Sequence, residues 1–288
     1  MRRPERRRRS GRERIVIAAL VFVGLLVLAA VFADLIAYRS PYDQDLGARL
    51  EPPVWAGGSW SSPLGTDQLG RDVLTRIVYG ARISLVVAVV ALAVGGGIGL
   101  VVGVTAGYFG GWLDRVVMRI TDATFAIPTI FLAIVFAVTL GPSLRTVILA
   151  ISAVIWSRFA RIMRAEALRV RGSDFVALAR AAGCTHLRIL VRHILPNVLN
   201  TWVVLLSLEL GAVIVVEAIL GFLGAGVPPP TPSWGGMIAQ GRQYISSAWW
   251  LSALPGVTIT LVVLSFNVLG DALRDRLDPR RRQVAMLA

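Results

Sequence analysis

Apolar runs close to the roughly 20 residues needed to cross a bilayer alternate with short polar stretches along most of the chain. Five are prominent: the charge-free Ile15–Ala33, then Ile83–Ala106, Trp112–Leu140, Val198–Gly224 and Ala248–Gly270. A sixth, Thr146–Ser157, is short and hemmed in by Arg145, Arg158 and Arg161, which must snorkel or face an aqueous path. The third run opens on Asp114, Arg115, Arg119 and Asp122 and holds Pro128, and Gly141–Pro142 marks the turn after it. The pattern predicts an all-α integral membrane protein with six transmembrane helices; a re-entrant hairpin at the fourth run is the alternative.

Arginine placement decides between them. All 30 Lys and Arg positions are arginine. With six crossings and a cytosolic N-terminus, eight arginines at the N-terminus, two beside Asp114, eight from Arg158 to Arg192 and five after Asp271 fall inside, and seven fall outside. That bias obeys the positive-inside rule, and a re-entrant fourth run would move whole basic blocks outside. The predicted organisation is a basic cytosolic tail at 1–14, a first transmembrane helix at 15–37, an extracytoplasmic loop at 38–82, five further helices within 83–271, and a cytosolic tail at 272–288. The basic head could bind nucleic acid, but it abuts an apolar run, so an anionic leaflet of the lipid bilayer is the predicted contact. The first run is too long for a signal core and lacks a small-x-small cleavage site. With no lysine there can be no Walker A loop; if ATP drives this protein, a partner binds it.

The outer loop carries prolines at 41, 52, 53 and 63 and is too short to bury a core of its own. Leu69, Val73, Ile77 and Val78 in it make an apolar stripe suited to an interfacial helix. Gly95, Gly99, Gly103 and Gly107 line one face of the second span, where they let a neighbouring helix approach closely. Glu209 and Glu217, eight apart in the fifth span, either line a solute path together with Arg158, or bind a substrate's positive charge, or make a structural hydrogen bond to another helix. In the loop Gly224–Trp250 the run PPPTPSWGGM should be stiff and extended, and Trp234, Trp249 and Trp250 suit a membrane–water interface.

The polar stretch 173–197, SDFVALARAAGCTHLRILVRHILPN, lies between two apolar runs. Ser173 or Asp174 can cap a helix, Ala177, Ala179, Ala181 and Ala182 favour one, and Gly183 can stop it in the left-handed conformation. Thr185–His193 carries Leu187, Leu190, Val191 and Ile194 on one side, and Pro196 stands where a new helix could begin. A solvated loop binding lipid headgroups and a docking element for another protein both fit.

This segment resembles the cytoplasmic coupling loop of membrane subunits of ATP-binding cassette importers. Ala179, Arg180, Ala181, Gly183, Ile194, Leu195 and Pro196 fall on that pattern, with Ala177 at the family's usual Glu. The run Leu64, Gly65, Thr66, Asp67, Leu69, Gly70, Arg71, Asp72 is similar to the signature of the dipeptide, oligopeptide and nickel permeases, C-type subunit. The stretch around Glu217, the PSWG run and the DALRDRLDPRRR tail resemble that subfamily too, so the likeness extends from about Ile15 to Arg282. The resemblance implies a type I ABC importer transmembrane fold in the bacterial plasma (inner) membrane, with both termini cytosolic. It implies a homologous permease subunit, two ABC ATPase subunits holding ATP and Mg, and an extracytoplasmic solute-binding protein as partners. ATPase coupling would rest on Asp174, Phe175, Ala179, Arg180, Ala181, Gly183, Cys184 and Pro196. Short peptides are the implied cargo, with nickel and glutathione as alternatives.

Enzyme chemistry finds little footing. His186, His193 and the single Cys184 share one loop but form a poor metal site without a further ligand, so no cofactor is expected in this chain. A proton-coupled carrier built on the two glutamates would need no ATPase and should show an internal repeat of its spans; the sequence shows none.

Overall fold

Residues 3–277 are described in a computed structural model, and within them every extended regular element is a helix. Met1, Arg2 and the residues from Asp278 onward, including the DPRRR part of the expected tail, lie outside the described residues. The helices are α1 (Arg3–Val31), α2 (Ala33–Ile36), α3 (Val73–Phe109), α4 (Gly111–Ala126), α5 (Thr129–Leu140), α6 (Leu144–Arg171), α7 (Asp174–Ala181), α8 (His186–Ile189), α9 (Leu195–Phe222), α10 (Trp234–Gly241) and α11 (Trp250–Leu277). Five spans are long and apolar enough to cross a membrane, and a sixth is made if the bent pair α4–α5 counts as one.

Two elements depart from the pattern predicted above, and a third keeps to it. The interfacial stripe is not a separate helix: α3 begins at Val73 and runs 37 residues without interruption into the second span. Asp72 caps it, its Oδ2 accepting from Thr75 N at 2.7 Å, and no later residue supplies a stop. The third span is not one rod, because α4 and α5 meet at 87°. Ile127, preceding Pro128, is extended (φ −94°, ψ 122°), the conformation a following proline imposes. The fourth run, the expected weak one, belongs to α6, a 28-residue helix capped by Ser143, whose Oγ accepts from Thr146 N at 3.1 Å. Its charged C-terminal half extends the helix, so the re-entrant alternative at this run falls.

The chain divides into two compact units, to which α3, α6, α9 and α11 each contribute. The first comprises the chain up to Val89, Ala133–Ile148 and Leu210–Leu269. Its core includes Trp234, fully buried, whose Nε1 donates to Ile77 O at 3.0 Å. Trp250 is buried as well and donates from Nε1 to Thr66 O at 3.2 Å. These two tryptophans are therefore core residues with satisfied N–H groups rather than interfacial anchors, and of the three in the loop Gly224–Trp250 Trp249 alone is substantially exposed. Asp34 ties α2 to α3, accepting from Tyr79 Oη at 2.8 Å and Arg82 Nη2 at 3.0 Å. The Tyr79 hydrogen bond first, then Arg82, holds the Asp34 carboxyl below the usual carboxylate range.

The second unit comprises Val90–Leu132, Leu149–Glu209 and the chain from Gly270. Its spine is the close approach of α3 to α6 along the glycine face. A Cβ at Gly99 would meet Phe159 Cβ and the Trp156 carbonyl, one at Gly103 the Ala160 backbone, and one at Gly107 the Arg164 carbonyl oxygen at 2.6 Å. Only glycine lets the backbones come this near. On α9, Trp202 Nε1 donates to Gly96 O at 2.9 Å and ties that helix to α3.

Candidate functional site

α7 and the turn after it are built from short-range geometry. Ser173 occupies the N-cap position, but its Oγ donates to Val170 O at 2.5 Å, so it caps no amide of α7. The C-terminal end is a Schellman motif: Cys184 N donates to Ala179 O at 3.0 Å and Gly183 N to Arg180 O at 2.9 Å. Gly183 sits at φ +76° to allow it, as the sequence predicts. Thr185 then caps α8, accepting from Arg188 N at 3.4 Å.

Pro196 does not open a new helix after a break. The chain from His186 to Phe222 is one helical span, with a π-turn at Leu190–Ile194 just before the proline. A proline in a helix has no N–H and presses on the carbonyl four residues back; the wider π-turn accommodates both, and Asn197 Nδ2 donates to His193 O at 2.6 Å.

Packing sorts the loop into anchors and a free face. Val176, Ile189 and Ile194 are fully buried against Val104, Tyr108, Met163, Ala167, Val170 and Val198, with Ala179 and Cys184 half-buried on the same core. Phe175, Leu178, Leu187 and Val191 are exposed, Leu178 and Leu187 at 69% and 70%. The apolar side expected from spacing is thus split: Ile194 faces in with Ile189, while Leu187 and Val191 face out. Asp174, Ala177, Arg180, Ala181, Gly183 and Pro196 are exposed around them. Tyr108, which sequence reasoning did not single out, braces the loop: its Oη shares a 2.8 Å hydrogen bond with His186 Nδ1, and the Arg180 guanidinium lies 5.5 Å from its ring centroid. His193 lies against Phe175, ring centroids 6.3 Å apart. The result is a rigid knob with an apolar, basic-fringed tip.

The outer signature has the opposite character. Thr66, Asp67, Arg71 and Asp72 are all buried. Asp67 Oδ2 pairs with Arg71 Nε at 2.7 Å and Arg76 Nε at 3.5 Å, while its Oδ1 accepts from Leu69 N and Arg71 N. Thr66 Oγ1 accepts from Glu51 N at 2.9 Å and donates to Ala48 O. Gly70 is at φ +72°, and a Cβ there would strike the Asp45 carbonyl; a Cβ at Gly65 would lie 2.6 Å from Glu51 O. Partial burial, with the Asp72 carboxylate second, pushes the Tyr38 phenol above its ordinary value. Arg76 and Gln240, absent from the sequence motif, complete the cluster, with Gln240 Oε1 accepting from Arg71 Nη2 and Arg76 Nη2 at 3.2 and 3.4 Å. No spacing rule links positions so far apart.

The intramembrane acids separate into two environments. Glu209 is paired with Arg158 Nη1 at 2.9 Å, and the Arg158 side chain remains 56% exposed. Arg158 begins a ladder on α6, since Arg161 pairs with Asp122 at 2.6 Å and Arg164 with Asp114. Glu217 is 1% exposed; its Oε2 accepts from Ser84 Oγ at 2.7 Å and its Oε1 has no partner among the described residues. That is the interhelical hydrogen bond offered above as one of its roles.

Known proteins are similar to this chain in sequence and in architecture. Residues 99–283 match the family described as the inner membrane component of binding-protein-dependent transport systems, and residues 6–53 match the N-terminal transmembrane domain of oligopeptide transport permease C. The chain is 41% identical over 273 residues to the dipeptide transport system permease protein DppC of Escherichia coli (strain K12), covering 94% of this chain and 91% of that protein. It is 39% identical over 270 residues to the di/tripeptide transport system permease protein DppC of Pseudomonas aeruginosa (strain UCBPP-PA14), covering 93% and 89%. In three dimensions it is similar to a chain of the inward-facing MetNI methionine ABC transporter, with a TM-score of 0.59, 23% identity, and coverage of 71% of this chain and 97% of that one.

Proposed function

This chain belongs to the inner-membrane components of binding-protein-dependent transport systems, and we propose that it forms half of the passage through which an ATP-driven importer moves short peptides. It is a multi-span permease with the type I ABC importer transmembrane fold. The peptide assignment is supported by the names of its relatives and by the match to the oligopeptide permease N-terminal domain. The other half of the passage is a homologous permease subunit, and a solute-binding protein delivers cargo from outside.

The observation that carries the mechanism is the knob made by Asp174–Gly183. Two ATPase subunits hold ATP and Mg, which this lysine-free chain has no P-loop to bind. The exposed Phe175, Leu178, Leu187 and Val191 seat in an ATPase cleft, and Arg180 sits at the rim. Because Val176, Ile189 and Ile194 bolt the knob to α3, α6 and α9, displacing it displaces the helix ends with it. Only contacts that differ between the two states of the ATPases can shift the passage between inward- and outward-open forms, so the knob must be stiff. The Schellman turn at Gly183 and the Tyr108 brace supply that stiffness. Arg158 and Glu209 border the passage, and Glu217 holds α9 to α3 through Ser84. Both termini lie in the cytosol.

Uptake in a deletion strain, with and without this gene restored, tests the assignment. Labelled dipeptide, tripeptide and nickel are offered side by side, before and after ATP depletion. Peptide uptake needing both gene and ATP is expected; nickel uptake alone contradicts the substrate, and uptake that follows the proton gradient after ATP depletion contradicts the mechanism.

A further inference from the structure

In the second unit α4 has two unlike sides. Toward α6 it presents carboxylates: Asp114 Oδ2 accepts from Arg164 Nη2 and Asp122 Oδ1 from Arg161 Nη2, each at 2.6 Å. The buried Thr121, seven residues on from Asp114, lies on that side as well. These pairs fix the course of the helix. Eight residues of α4, about 12 Å, are matched to three of α6, about 4.5 Å, so α4 runs across α6 and not alongside it. The 87° bend at Ile127–Pro128 then turns the chain from this course into α5. The same pairs fix its depth. Arg161 and Arg164 stand about 25 and 30 Å along α6 from its first residue, Leu144, where a hydrocarbon core of roughly 30 Å ends. α6 continues about 10 Å further to Arg171, just before the knob. α4 therefore lies at the level of lipid headgroups, between the acyl chains and the knob.

The opposite side carries Trp112, Arg115, Arg119 and Ala123, spaced three or four residues apart and all exposed, Trp112 at 70%. Ile120, 52% exposed, borders them. On α6, Arg158, Arg161, Arg164 and Arg169 each have a carboxylate. Arg119, by contrast, has no hydrogen-bond or ion-pair partner among the described residues, and Arg115 reaches only the Gly111 carbonyl, at 3.4 Å. The carboxylates of α4 itself, Asp114 and Asp122, are committed to α6. Two unneutralised guanidinium groups one turn apart, beside an indole and an isoleucine, match a phosphate carried on acyl chains. We infer that this face of α4 binds anionic phospholipid headgroups, with Arg115 and Arg119 on the phosphate and Trp112 and Ile120 against the upper ends of the acyl chains. That the leaflet is the cytoplasmic one rests on the reading of the knob as the ATPase contact. Because Arg161 and Arg164 tie α4 to the helix that carries the knob, a headgroup held there braces the knob's base.

The test uses the complete importer in proteoliposomes of equal parts phosphatidylglycerol and phosphatidylcholine with matched acyl chains. A photoreactive p-benzoylphenylalanine replaces Ala123, one turn beyond Arg119, and what it captures on illumination is identified by mass spectrometry. Phosphatidylglycerol adducts are expected to outnumber phosphatidylcholine adducts, each arginine favouring the anionic lipid about fivefold. Arg115→Gln/Arg119→Gln should bring the two yields close to parity. Arg115→Lys/Arg119→Lys keeps the charge, should keep the preference, and guards against a glutamine pair that fails to accumulate. Equal capture of the two lipids with both arginines present, or a preference unchanged by the glutamine pair, overturns the site. So does a preference lost as fully in the lysine pair as in the glutamine pair. Capture of an ATPase or of the second permease subunit in place of lipid also overturns it and gives the face to that protein. The knob reading stands or falls separately: ATPases that fail to co-purify with the unaltered importer contradict it and withdraw the choice of leaflet, while the ratio of lipid adducts still decides the site.

Discussion

The outer signature at Leu64–Asp72 and the knob at Ser173–Pro196 are both polar stretches beside a membrane span, yet they use their residues in opposite ways. In the signature the charges are inside: Asp67, Arg71, Asp72 and Arg76 are each at most 4% exposed and bonded to one another or to backbone. In the knob the charges are outside and aliphatic side chains do the anchoring, with Val176, Ile189 and Ile194 at 0% exposure. Once its bonds are made the signature has little left to offer a partner, whereas the knob keeps four large apolar side chains exposed among the described residues. A conspicuous motif can thus be a structural tie, and a plainer, alanine-rich stretch can carry the contact surface.

Breaking the signature should have the largest effect. Asp67→Ala leaves Arg71 and Arg76 buried without their carboxylate and is expected to cost about 3–5 kcal/mol, read as loss of membrane abundance and of thermal stability in detergent. The knob's anchor comes next. Ile189→Ala opens a void in a fully buried position and should cost about 2–5 kcal/mol, loosening the knob so that ATP hydrolysis persists while uptake falls. A smaller effect is expected from Ser84→Ala, which removes the one hydrogen-bond partner Glu217 has among the described residues and should cost about 1–3 kcal/mol. Glu217→Gln keeps a carbonyl to accept from Ser84 and should be milder than Ser84→Ala; a harsher effect on uptake at normal abundance would give Glu217 a role in the passage. Smallest of all, Gly183→Ala meets no neighbour but must adopt φ +76°, at about 1–2 kcal/mol, and should lower coupling more than stability.

Most of the helical plan was legible because charge-free runs and glycine stops are local signals. The end of α7 at Gly183 follows from one residue, and the α3–α6 contact from four glycines. What sequence could not supply were effects of long-range packing. Nothing near residue 82 says that the stripe at Val73–Val78 continues into the span, since the absence of a stop carries no mark. Pro128 was visible inside the third run, but whether a membrane helix bends gently or by 87° there depends on its neighbours. The π-turn before Pro196 is likewise a response to a proline whose presence alone allowed a fresh start. Trp234 and Trp250 look interfacial by type and position, and only their bonds to Ile77 and Thr66 carbonyls make them core residues. α10 was hidden in a glycine- and proline-rich loop, although Ser233, whose Oγ accepts from Gly236 N at 3.2 Å, is a capping signal.

The central claim is that the exposed tip of the knob, and not the signature, is what ATPase subunits grip. The most direct measurement is ATP-driven dipeptide uptake, alongside co-purification of the ATPases, for Leu178→Asp/Leu187→Asp. Both side chains are about 70% exposed, so the double variant should reach the membrane at normal abundance. The account predicts that it loses the ATPases and at least tenfold of uptake (~1.4 kcal/mol or more of docking energy). Normal co-purification with normal uptake would contradict it.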